Sequence, residues 1–398
     1  MRNILKKIGI FGSTGSIGRQ TVSIIEQYAD DLRASLLTCD TNTLLLRKQI
    51  RSLNPEMVVV AGAAAASDIS SLMLEFPNTS VLTGSQGLVE AAEYADYDVM
   101  LNALTGIAGL MPTWKALTTC RDIAIANKET LVAGGELVMA EANKLGSRII
   151  PVDSEHSAIF QAIQGNEEND IHAILLTASG GPFRGYSRDT LRGITPEQAL
   201  KHPNWDMGKK VTIDSATMMN KGLEIIEASR LFGVEEGRIK VVVHPQSLIH
   251  SMVEFEDGAV MAQMGVPDMK APISYALFYP KRRDTGVKRL NFTDTGTLTF
   301  ENPDETVFPA LRLAREALKT GGGAPVVLNA ANEALVGLFL NNKIRFTDID
   351  INIERALKSF ADAKAGDLGA VLELDTRVKA WVFERLTGEI STFAEVNK

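Results

Sequence analysis

Three acidic side chains in this sequence have the type and spacing to bind a metal ion together. Asp153 and Glu155 flank a serine in PVDSEHSAIFQ (151–161), where an apolar, strand-like run gives way to a helical one. In an extended segment, side chains two residues apart point the same way. Glu224, which ends DSATMMNKGLE (214–224), offers a third carboxylate. Oxygen-only ligands suit Mg²⁺ or Mn²⁺, whereas serine and acids also suit an ordinary helix start.

The segment around Glu224 predicts a second group of polar side chains. If a helix begins near Met219, its spacing places Asn220, Lys221 and Glu224 on one face. The alternative is a surface ion pair between Lys221 and Glu224, worth only ~0.3 kcal/mol. From periodicity alone, the surface pair is the better interpretation.

A glycine-rich turn, GSTGSIG (12–18), follows the first apolar run and opens the first helical one. Its glycines allow a tight turn and close backbone approach, and a helix N-terminus attracts phosphate. The spacing is G-x-x-G-x-x-G rather than the commoner G-x-G-x-x-G. The order of strand, turn and helix favours a dinucleotide site over an ordinary glycine-rich turn.

The stretch ANKET (126–130) ends a later strand of the same predicted sheet. In a doubly wound sheet, the carboxyl ends of the strands face the ligand crevice. Asn127, Lys128 and Glu129 would then lie in that crevice. A helix start with solvated charges explains the same residues equally well.

Two glycine-containing loops carry further side chains that suit a ligand. In TASGGPF (177–183), backbone N–H groups and Ser179 could hold a phosphate together with Ser215, Asn220 and Lys221, or form an ordinary turn. In HPNWDMGKK (202–210), Trp205 could cover a ligand as part of a lid, with Pro203 and Gly208 as hinge-friendly neighbours, or be fixed in the core.

Two histidines lie near a predicted strand start in HPQSLIHS (244–251). No cysteine is near them in the sequence. We therefore expect His244 and His250 to pack or to hydrogen-bond rather than to bind zinc.

Apolar periodicity predicts an α/β chain. In the first 150 residues, strand-like runs alternate with helical stretches, which indicates βαβ units and a parallel sheet. Further runs predict strands of an antiparallel or mixed sheet, with Asp257-Gly258 as a hairpin turn. The C-terminal part is predicted to be helical. The predicted strands are 7–12, 34–39, 57–62, 98–104, 122–127, 148–153, 173–178, 239–243 and 249–264, and the predicted C-terminal helices are 309–320, 326–340 and 376–387.

Composition sets limits on compartment and partners. The chain has 398 residues, 45% hydrophobic and 23% charged, which is ordinary globular composition for two or three domains. A net charge of −8 argues against a general binder of nucleic acid or anionic membrane. Cys39 and Cys120 are the only cysteines, which fits a reducing compartment. Without a signal-peptide core or an apolar window of ~18 residues, we expect a cytoplasmic protein.

The motifs together resemble those of the 1-deoxy-D-xylulose 5-phosphate reductoisomerase family of the non-mevalonate isoprenoid pathway. The resemblance rests, in order, on GSTGSIG, ANKE, PVDSEH, SGGPF, HPNWxMG, DSATMMNKGLE and HPQSxIHSM, and it covers essentially the whole chain. DSATMMNKGLE alone is close to diagnostic. The resemblance implies an oxidoreductase and isomerase that converts 1-deoxy-D-xylulose 5-phosphate to 2-C-methyl-D-erythritol 4-phosphate. It would need NADPH and a divalent metal, Mg²⁺ or Mn²⁺, with Co²⁺ as a further candidate.

The same resemblance implies a division into parts. It predicts a Rossmann-like NADPH-binding domain over 1–153 and a central α+β catalytic and dimerisation domain over 154–278. A linker over 279–305 and a C-terminal helical bundle over 306–398 would follow. The expected assembly is a homodimer, and the expected partner is a small sugar phosphate rather than nucleic acid or membrane.

Site residues carry over from the family by position. Those implied to act in catalysis are Lys128, Asp153, Glu155, Glu224 and His202, of which Asp153, Glu155 and Glu224 would bind the metal. Those implied to bind substrate are Ser154, Ser179, His202, Trp205, Ser215, Asn220, Lys221 and Glu224, with Met207 in the closing loop. Those implied to bind the cofactor are Gly12, Thr14, Gly15, Ser16, Ile17, Asn42, Asn127, Glu129 and Gly208.

One position departs from the family pattern. After the second strand the chain has Asp40 and Thr41 where the family usually has small or basic residues. An acid here usually favours NAD by binding the ribose hydroxyls. We nevertheless expect NADPH to be preferred, with Ser13, Asn42 and Arg47 as candidate donors to its extra phosphate.

Two other functions remain open at this point. A simple NAD(P)-dependent dehydrogenase of a phosphorylated sugar explains the fold but leaves three converging acids without a role. A nucleotide-sensing binding protein needs the glycine-rich turn but neither the acids nor the lid.

Overall fold

The computed structural model describes residues 5–64, 66–202, 205 and 207–388. Pro203, predicted as a hinge-friendly neighbour of Trp205, lies outside the described residues.

A parallel sheet of seven strands occupies the first part of the chain. Its strands are β1 (Lys6–Phe11), β2 (Leu32–Cys39), β3 (Met57–Val60), β4 (Ser80–Thr83), β5 (Val99–Asn102), β6 (Asp122–Ile125) and β7 (Ile149–Pro151). Their spatial order is β4-β3-β2-β1-β5-β6-β7. The order reverses between β1 and β5, which is where such sheets bind ligands.

These strands are uninterrupted apolar runs, because helices cover the sheet and bury its side chains. Ile8, Ile10 and Phe11 of β1 are fully buried, and Ile10 pairs with Leu37 on one side and Leu101 on the other. The covering helices begin with α1 (Ser16–Gln27), α2 (Thr43–Leu53), α3 (Ala66–Glu75), α4 (Gly84–Tyr94), α5 (Leu110–Thr118) and α6 (Lys128–Leu145), and Gly106–Gly109 forms a short 3₁₀ turn.

The sequence did not predict strand β4. Its residues, SVLT, are exposed or half-buried at the edge of the sheet. An edge strand needs no long apolar run, so periodicity gave it no distinct pattern.

A second sheet of four strands follows. Its strands are β8 (Ile171–Ala178), β9 (Ile239–Val243), β10 (Ile249–Phe255) and β11 (Val260–Met264). The order is β11-β10-β8-β9, with β10 antiparallel to both neighbours and β8 parallel to β9. The sheet is therefore mixed. The predicted hairpin is present, and Gly258 has the positive φ of +82° that this turn requires.

Helices surround the second sheet and form the C-terminal part. They are α7 (Ser154–Ile163), α8 (Arg188–Leu191), α9 (Pro196–Ala199), α10 (Lys209–Ala216), α11 (Met219–Phe232), α12 (Lys270–Phe278), α13 (Phe292–Thr295), α14 (Ala310–Thr320), α15 (Ala324–Leu340), α16 (Asp348–Ser359) and α17 (Leu368–Thr387), with a 3₁₀ turn at Glu236–Arg238. Helix α16 was not predicted, although Ile349, Ile353 and Ala356 are buried at helical spacing.

Helix α12 packs on the first sheet rather than the second. Ile273 and Leu277 share one buried apolar cluster with Ile8 and Ile24 of the parallel-sheet region. None of the described helices is both long and apolar enough to cross a lipid bilayer.

Candidate active site

The carboxyl ends of strands from both sheets meet at one cavity of about 190 Å³. Residues following β1, β6 and β7 come from the parallel sheet, and residues following β8 come from the mixed sheet. Most of the predicted site residues line this cavity: Ser16, Ile17, Lys128, Asp153, Ser154, Glu155, Ser179, His202, Trp205, Met207, Gly208, Ser215, Asn220, Lys221 and Glu224.

Asp153 and Glu155 lie at a helix start and also converge on the cavity. Asp153 is the N-cap of α7, and its carboxylate accepts a hydrogen bond from the backbone N–H of Glu155 at 3.3 Å. Glu155 lies in the first helical turn, where Ser154 Oγ donates to its Oε2 at 2.6 Å. The two acids therefore approach each other through helix capping. The expectation of an extended segment was wrong, because the helix begins at Ser154.

Glu224 completes the acid cluster from helix α11. That helix begins at Met219, as predicted, so Asn220, Lys221 and Glu224 share one face. The surface interpretation of the lysine–glutamate pair is wrong, because Lys221 is 4% exposed and Glu224 is 1% exposed. One carboxylate oxygen each from Asp153, Glu155 and Glu224 lie within 4.8 Å of one another.

Two buried lysines lie among these carboxylates. Lys128 Nζ is 2.7 Å from Asp153 Oδ2 and 3.1 Å from Glu224 Oε1. Lys221 Nζ is 3.0 Å from Glu155 Oε1 and also donates to Glu224. Three acids and two lysines form a largely buried site with more acidic than basic groups, in which Glu155 is the most exposed carboxylate at 20%.

The charges shift the proton affinities of the cluster in different directions. Burial raises the pKa of Glu155 to about 7, and the neighbouring Glu224 carboxylate adds to this. Burial alone would raise the pKa of Asp153, but Lys128 and His156 hold it well below its usual value. Burial would lower the pKa of Lys128, yet Asp153 and Glu224 raise it well above its usual value. An uneven set of pKa values within one cavity is typical of functional sites.

His156 supports the acids from a fully buried position. Its Nε2–H donates to the backbone carbonyl of Glu224 at 3.0 Å. Its Nδ1 lies 3.4 Å from carboxylate oxygens of both Asp153 and Glu227. Sequence analysis missed this histidine and Glu227, although both lie one helical turn or less from a predicted ligand.

The donor set fits a hard divalent cation. Its three carboxylates offer only oxygen atoms, and one oxygen from each lies within 4.8 Å of the others. Lys128 and Lys221 already compensate part of their negative charge, and a bound cation would further offset the repulsion between the three acids. Asp153, Glu155 and Glu224 are the residues that would hold it.

The loop after β8 brings hydroxyl and backbone N–H groups to the same cavity. Ser179 Oγ accepts from the Gly181 backbone N–H at 3.2 Å and lies 3.3 Å from His202 Nε2. Gly181 has φ +70°, and a Cβ there would lie 2.6 Å from the Ser215 carbonyl oxygen. This close approach sets the loop after β8 directly against α10.

The two histidines of HPQSLIHS (244–251) differ in role. His244 Nε2 accepts from the Leu248 N–H at 3.2 Å and its Nδ1–H donates to the Thr299 carbonyl at 2.9 Å, so it holds loops together, as expected. His250 instead lines the cavity, with its ring 6.3 Å from that of Trp205. A lone histidine in a strand gives no sequence sign of facing a cavity.

Comparison with known proteins identifies the family. Family models match residues 8–135 (1-deoxy-D-xylulose 5-phosphate reductoisomerase), 149–232 (its C-terminal domain) and 264–381 (DXP reductoisomerase C-terminal domain). A 1-deoxy-D-xylulose 5-phosphate reductoisomerase from Geotalea daltonii is 47% identical over 389 residues, 98% of this chain and 100% of the relative. The chain belongs to the 1-deoxy-D-xylulose 5-phosphate reductoisomerase family.

Solved structures agree with this assignment. The Zymomonas mobilis 1-deoxy-D-xylulose 5-phosphate reductoisomerase in complex with NADPH is 39% identical, with a TM-score of 0.89 over 97% of this chain and 99% of that one. A DOX-P reductoisomerase in complex with NADPH, fosmidomycin and magnesium is 38% identical, with a TM-score of 0.90 over 96% and 98%.

Several residues matched to the reductoisomerase family's cofactor contacts lie outside the cavity lining. They are Gly12, Thr14, Gly15, Asn42, Asn127 and Glu129. Asn42 is exposed at the N-cap of α2, where it accepts from the Leu45 N–H. Asn127 is buried, and its side chain caps α6 and donates to the carbonyls of Leu104 and Gly106. Their predicted contact with a cofactor stays a prediction.

The candidate donors to an extra cofactor phosphate are mostly engaged. Ser13 is fully buried and its hydroxyl bonds the Thr38 carbonyl and Gln49, so it was a wrong candidate. Arg47 forms an ion pair with Glu75. Asp40 is exposed, and its Oδ1 lies against Gly62, at 2.2 Å from where a Cβ of residue 62 would stand.

Sequence analysis also missed apolar and small residues of the cavity. These are Ala126, Thr177, Ala178, Val211, Met218, Ser247, Ile249 and Met269. Met218 has φ +62°, an uncommon conformation for a side chain of this size, and forms the turn between α10 and α11. Only the structure shows that this turn sets Ser215 and Asn220 in the same cavity.

Proposed function

We propose that this protein catalyses the rearrangement and NADPH-dependent reduction of 1-deoxy-D-xylulose 5-phosphate to 2-C-methyl-D-erythritol 4-phosphate, with a divalent metal. One observation carries the proposal: the three-acid cluster opens into the same cavity as Ser16 and Ile17 of the glycine-rich turn. A metal site and a nucleotide-binding turn facing one small space are what this reaction requires.

Asp153, Glu155 and Glu224 hold the metal in this proposal. A divalent cation there supplies Lewis-acid stabilisation of charge that develops on substrate oxygens. Lys128 stays charged, because its pKa is raised by the neighbouring acids, and it stabilises the same oxygens. Ser154 donates to Glu155 and thereby orients one ligand.

Ser179, Ser215, Asn220 and the Lys221 ammonium hold the substrate phosphate. Lys221 and Asn220 also bond to the acid cluster, through Glu155 and Glu224, so the phosphate site adjoins the metal site. The close approach of Gly181 to Ser215 sets the distance between Ser179 and Ser215. Anchoring a remote group lets binding energy position the reacting carbons. The Nδ1 of His202 accepts a hydrogen bond from the backbone N–H of Trp205. The proton of the ring is therefore on Nε2, which faces the Ser179 hydroxyl.

The cofactor enters beside the glycine-rich turn. Ser16, Ile17 and Gly208 line that end, and two relatives are described in complex with NADPH. We keep NADPH as the preferred cofactor despite Asp40. Trp205 and Met207 line the cavity, and in this proposal their loop closes over the substrate and excludes water from the reacting atoms.

The proposal also includes the oligomeric state, the domain division and the location of the protein. We infer a homodimer, supported by the exposed apolar side chains of Val260 and Met261 on the edge strand β11. We keep the division into 1–153, 154–278, 279–305 and 306–398, and a cytoplasmic location, supported by the low cysteine content.

The decisive experiment follows nicotinamide oxidation with purified protein, NADPH, Mg²⁺ and 1-deoxy-D-xylulose 5-phosphate. Oxidation should require both the sugar phosphate and the metal, and excess EDTA should abolish it. A simple dehydrogenase would continue to turn over in EDTA, and a nucleotide sensor would bind NADPH without oxidising it. Either result would contradict the proposal.

A further inference from the structure

A buried lysine outside the cavity ties the start of α10 to the start of α6. Lys210 Nζ lies 2.7 Å from Glu129 Oε1 and 2.7 Å from Asp214 Oδ2. All three side chains are at least largely buried, at 13%, 5% and 1% exposure. A single cation thus compensates two carboxylates that would be costly to bury alone.

Further hydrogen bonds extend this group of buried polar side chains at both ends. Asn332 of α15 donates from Nδ2 to Asp214 Oδ1 at 2.8 Å and is fully buried. Asn127 donates to the second oxygen of Glu129 at 3.0 Å. The Lys210 clamp, defined as Lys210 with Glu129, Asp214 and Asn332, therefore joins three helices that are far apart in sequence.

Each of the first two helices carries cavity residues next to the clamp. Lys128 directly precedes Glu129 on α6, and Gly208 lies two residues before Lys210. Lys210 itself does not line the cavity, so it can act only through its neighbours. None of the described residues after Met269 lines the cavity either. The C-terminal helices contact the clamp through Asn332, which bonds to Asp214.

We propose that Lys210 is a positioning residue: by joining Glu129 to Asp214 it holds Met207 and Gly208 at the cofactor end of the cavity. Asn332 makes the C-terminal helices part of that arrangement. The inference rests on the proposed function, because it takes NADPH as the ligand at that end. It also gives Glu129 a role that needs no direct contact with the cofactor.

The alternative is a clamp that only stabilises the fold, and the chain offers a matched control. Lys379 is also a buried lysine between two carboxylates, 2.9 Å from Asp375 and 3.0 Å from Glu333. It joins α17 to α15 and is not a cavity residue. Lys210→Met and Lys379→Met remove the same charge from similar surroundings.

The experiment measures Tm, the Kd of NADPH and the kcat and KM values of both variants. The Tm of both variants should fall, because each substitution leaves two buried carboxylates without their cation. Only Lys210→Met should weaken NADPH binding and lower kcat/KM, by about 10- to 100-fold, because small misplacements at a site have large effects. Lys210→Arg should restore most of the loss, since arginine can bridge two carboxylates.

Asn332→Ala provides a second test that keeps the lysine in place. It should shift the NADPH Kd in the same direction by a smaller factor. A wild-type NADPH Kd in Lys210→Met, or in Asn332→Ala if the lysine variant does not fold, overturns the inference, as does an equal loss in Lys379→Met. Wild-type protein that binds NADPH but never oxidises it contradicts the proposed function instead.

Discussion

At the scale of single residues, Glu224 has the sharpest expected effect. Glu224→Gln keeps the size of the side chain but removes one of three converging charges. It also replaces one oxygen that accepts from Lys128 or Lys221 by an NH₂ donor. We expect kcat/KM to fall by ~100-fold or more, about 2.7 kcal/mol of transition-state stabilisation. Steady-state kinetics would measure the loss, and metal titration should show weaker binding while the NADPH Kd stays nearly unchanged.

A matched control for this variant lies on α6. Glu136→Gln changes a 65% exposed glutamate outside the cavity and should leave the kinetics unchanged. A near-wild-type rate for Glu224→Gln would return that residue to a structural role as the partner of Lys128 and Lys221.

The sequence predicted these residues well where local spacing decides the geometry. Asn220, Lys221 and Glu224 share a face because helix periodicity requires it. It could not predict that the face is buried, because its partners are far away in the chain: Lys128 donates to Glu224, and Lys221 donates to Glu155. His156 and Glu227 were missed for the same reason.

At the scale of structural elements, the loop after β8 can lie directly against α10 because Gly181 has no side chain. Gly181→Ala adds a Cβ that would lie 2.6 Å from the Ser215 carbonyl oxygen. Because that oxygen belongs to the backbone of α10, the two phosphate-side elements must separate. We expect the substrate KM to rise by about tenfold or more and Tm to fall.

Gly185→Ala separates this clash from backbone strain. Gly185 also has a positive φ, +84°, but a Cβ there meets nothing within 4 Å. Its substitution should cost only about 1–2 kcal/mol of strain and leave KM unchanged. Equal changes in KM for the two alanine variants would show that backbone strain, rather than contact with Ser215, determines the position of the loop.

Elements were predictable in proportion to their apolar pattern. The buried runs of β1 and β2 were found within a few residues, as were α14 and α15. The edge strand β4 and helix α16 were missed, the first because it is barely buried and the second because its acidic residues obscure a regular apolar stripe. The packing of α12 on the parallel sheet follows from tertiary contacts that no local pattern encodes.

At the scale of the whole molecule, we expect a pH dependence of stability from His250. Burial lowers the pKa of His250 to about 4, whereas an unfolded chain takes up the proton near 6.5. Between these values the unfolded state binds more protons, so the free energy of unfolding falls as pH drops. From pH 7 to pH 5 the contribution of His250 should fall by about 2 kcal/mol.

Denaturant titrations at pH 7 and pH 5 would measure this effect as a difference between variants. His250→Gln should remove that part of the pH dependence, whereas His172→Gln, at a half-exposed position, should retain it. The comparison is needed because His156 acts in the opposite sense: Glu227 and Asp153 raise its pKa to about 9 despite burial. An unchanged pH dependence in His250→Gln would show that this ring is not shielded from water.

The placement of the acids on separate elements has a consequence for synthesis on the ribosome. Asp153 and Glu155 emerge with the end of the parallel sheet, Glu224 only after the loops that follow β8, and Asn332 later still. Since domains tend to fold in the order in which they leave the ribosome, a nascent chain can present its nucleotide-binding turn before it has a complete set of carboxylates. A growing chain that captures NADPH early therefore has no means of consuming it until helix α11, which carries Glu224, has emerged.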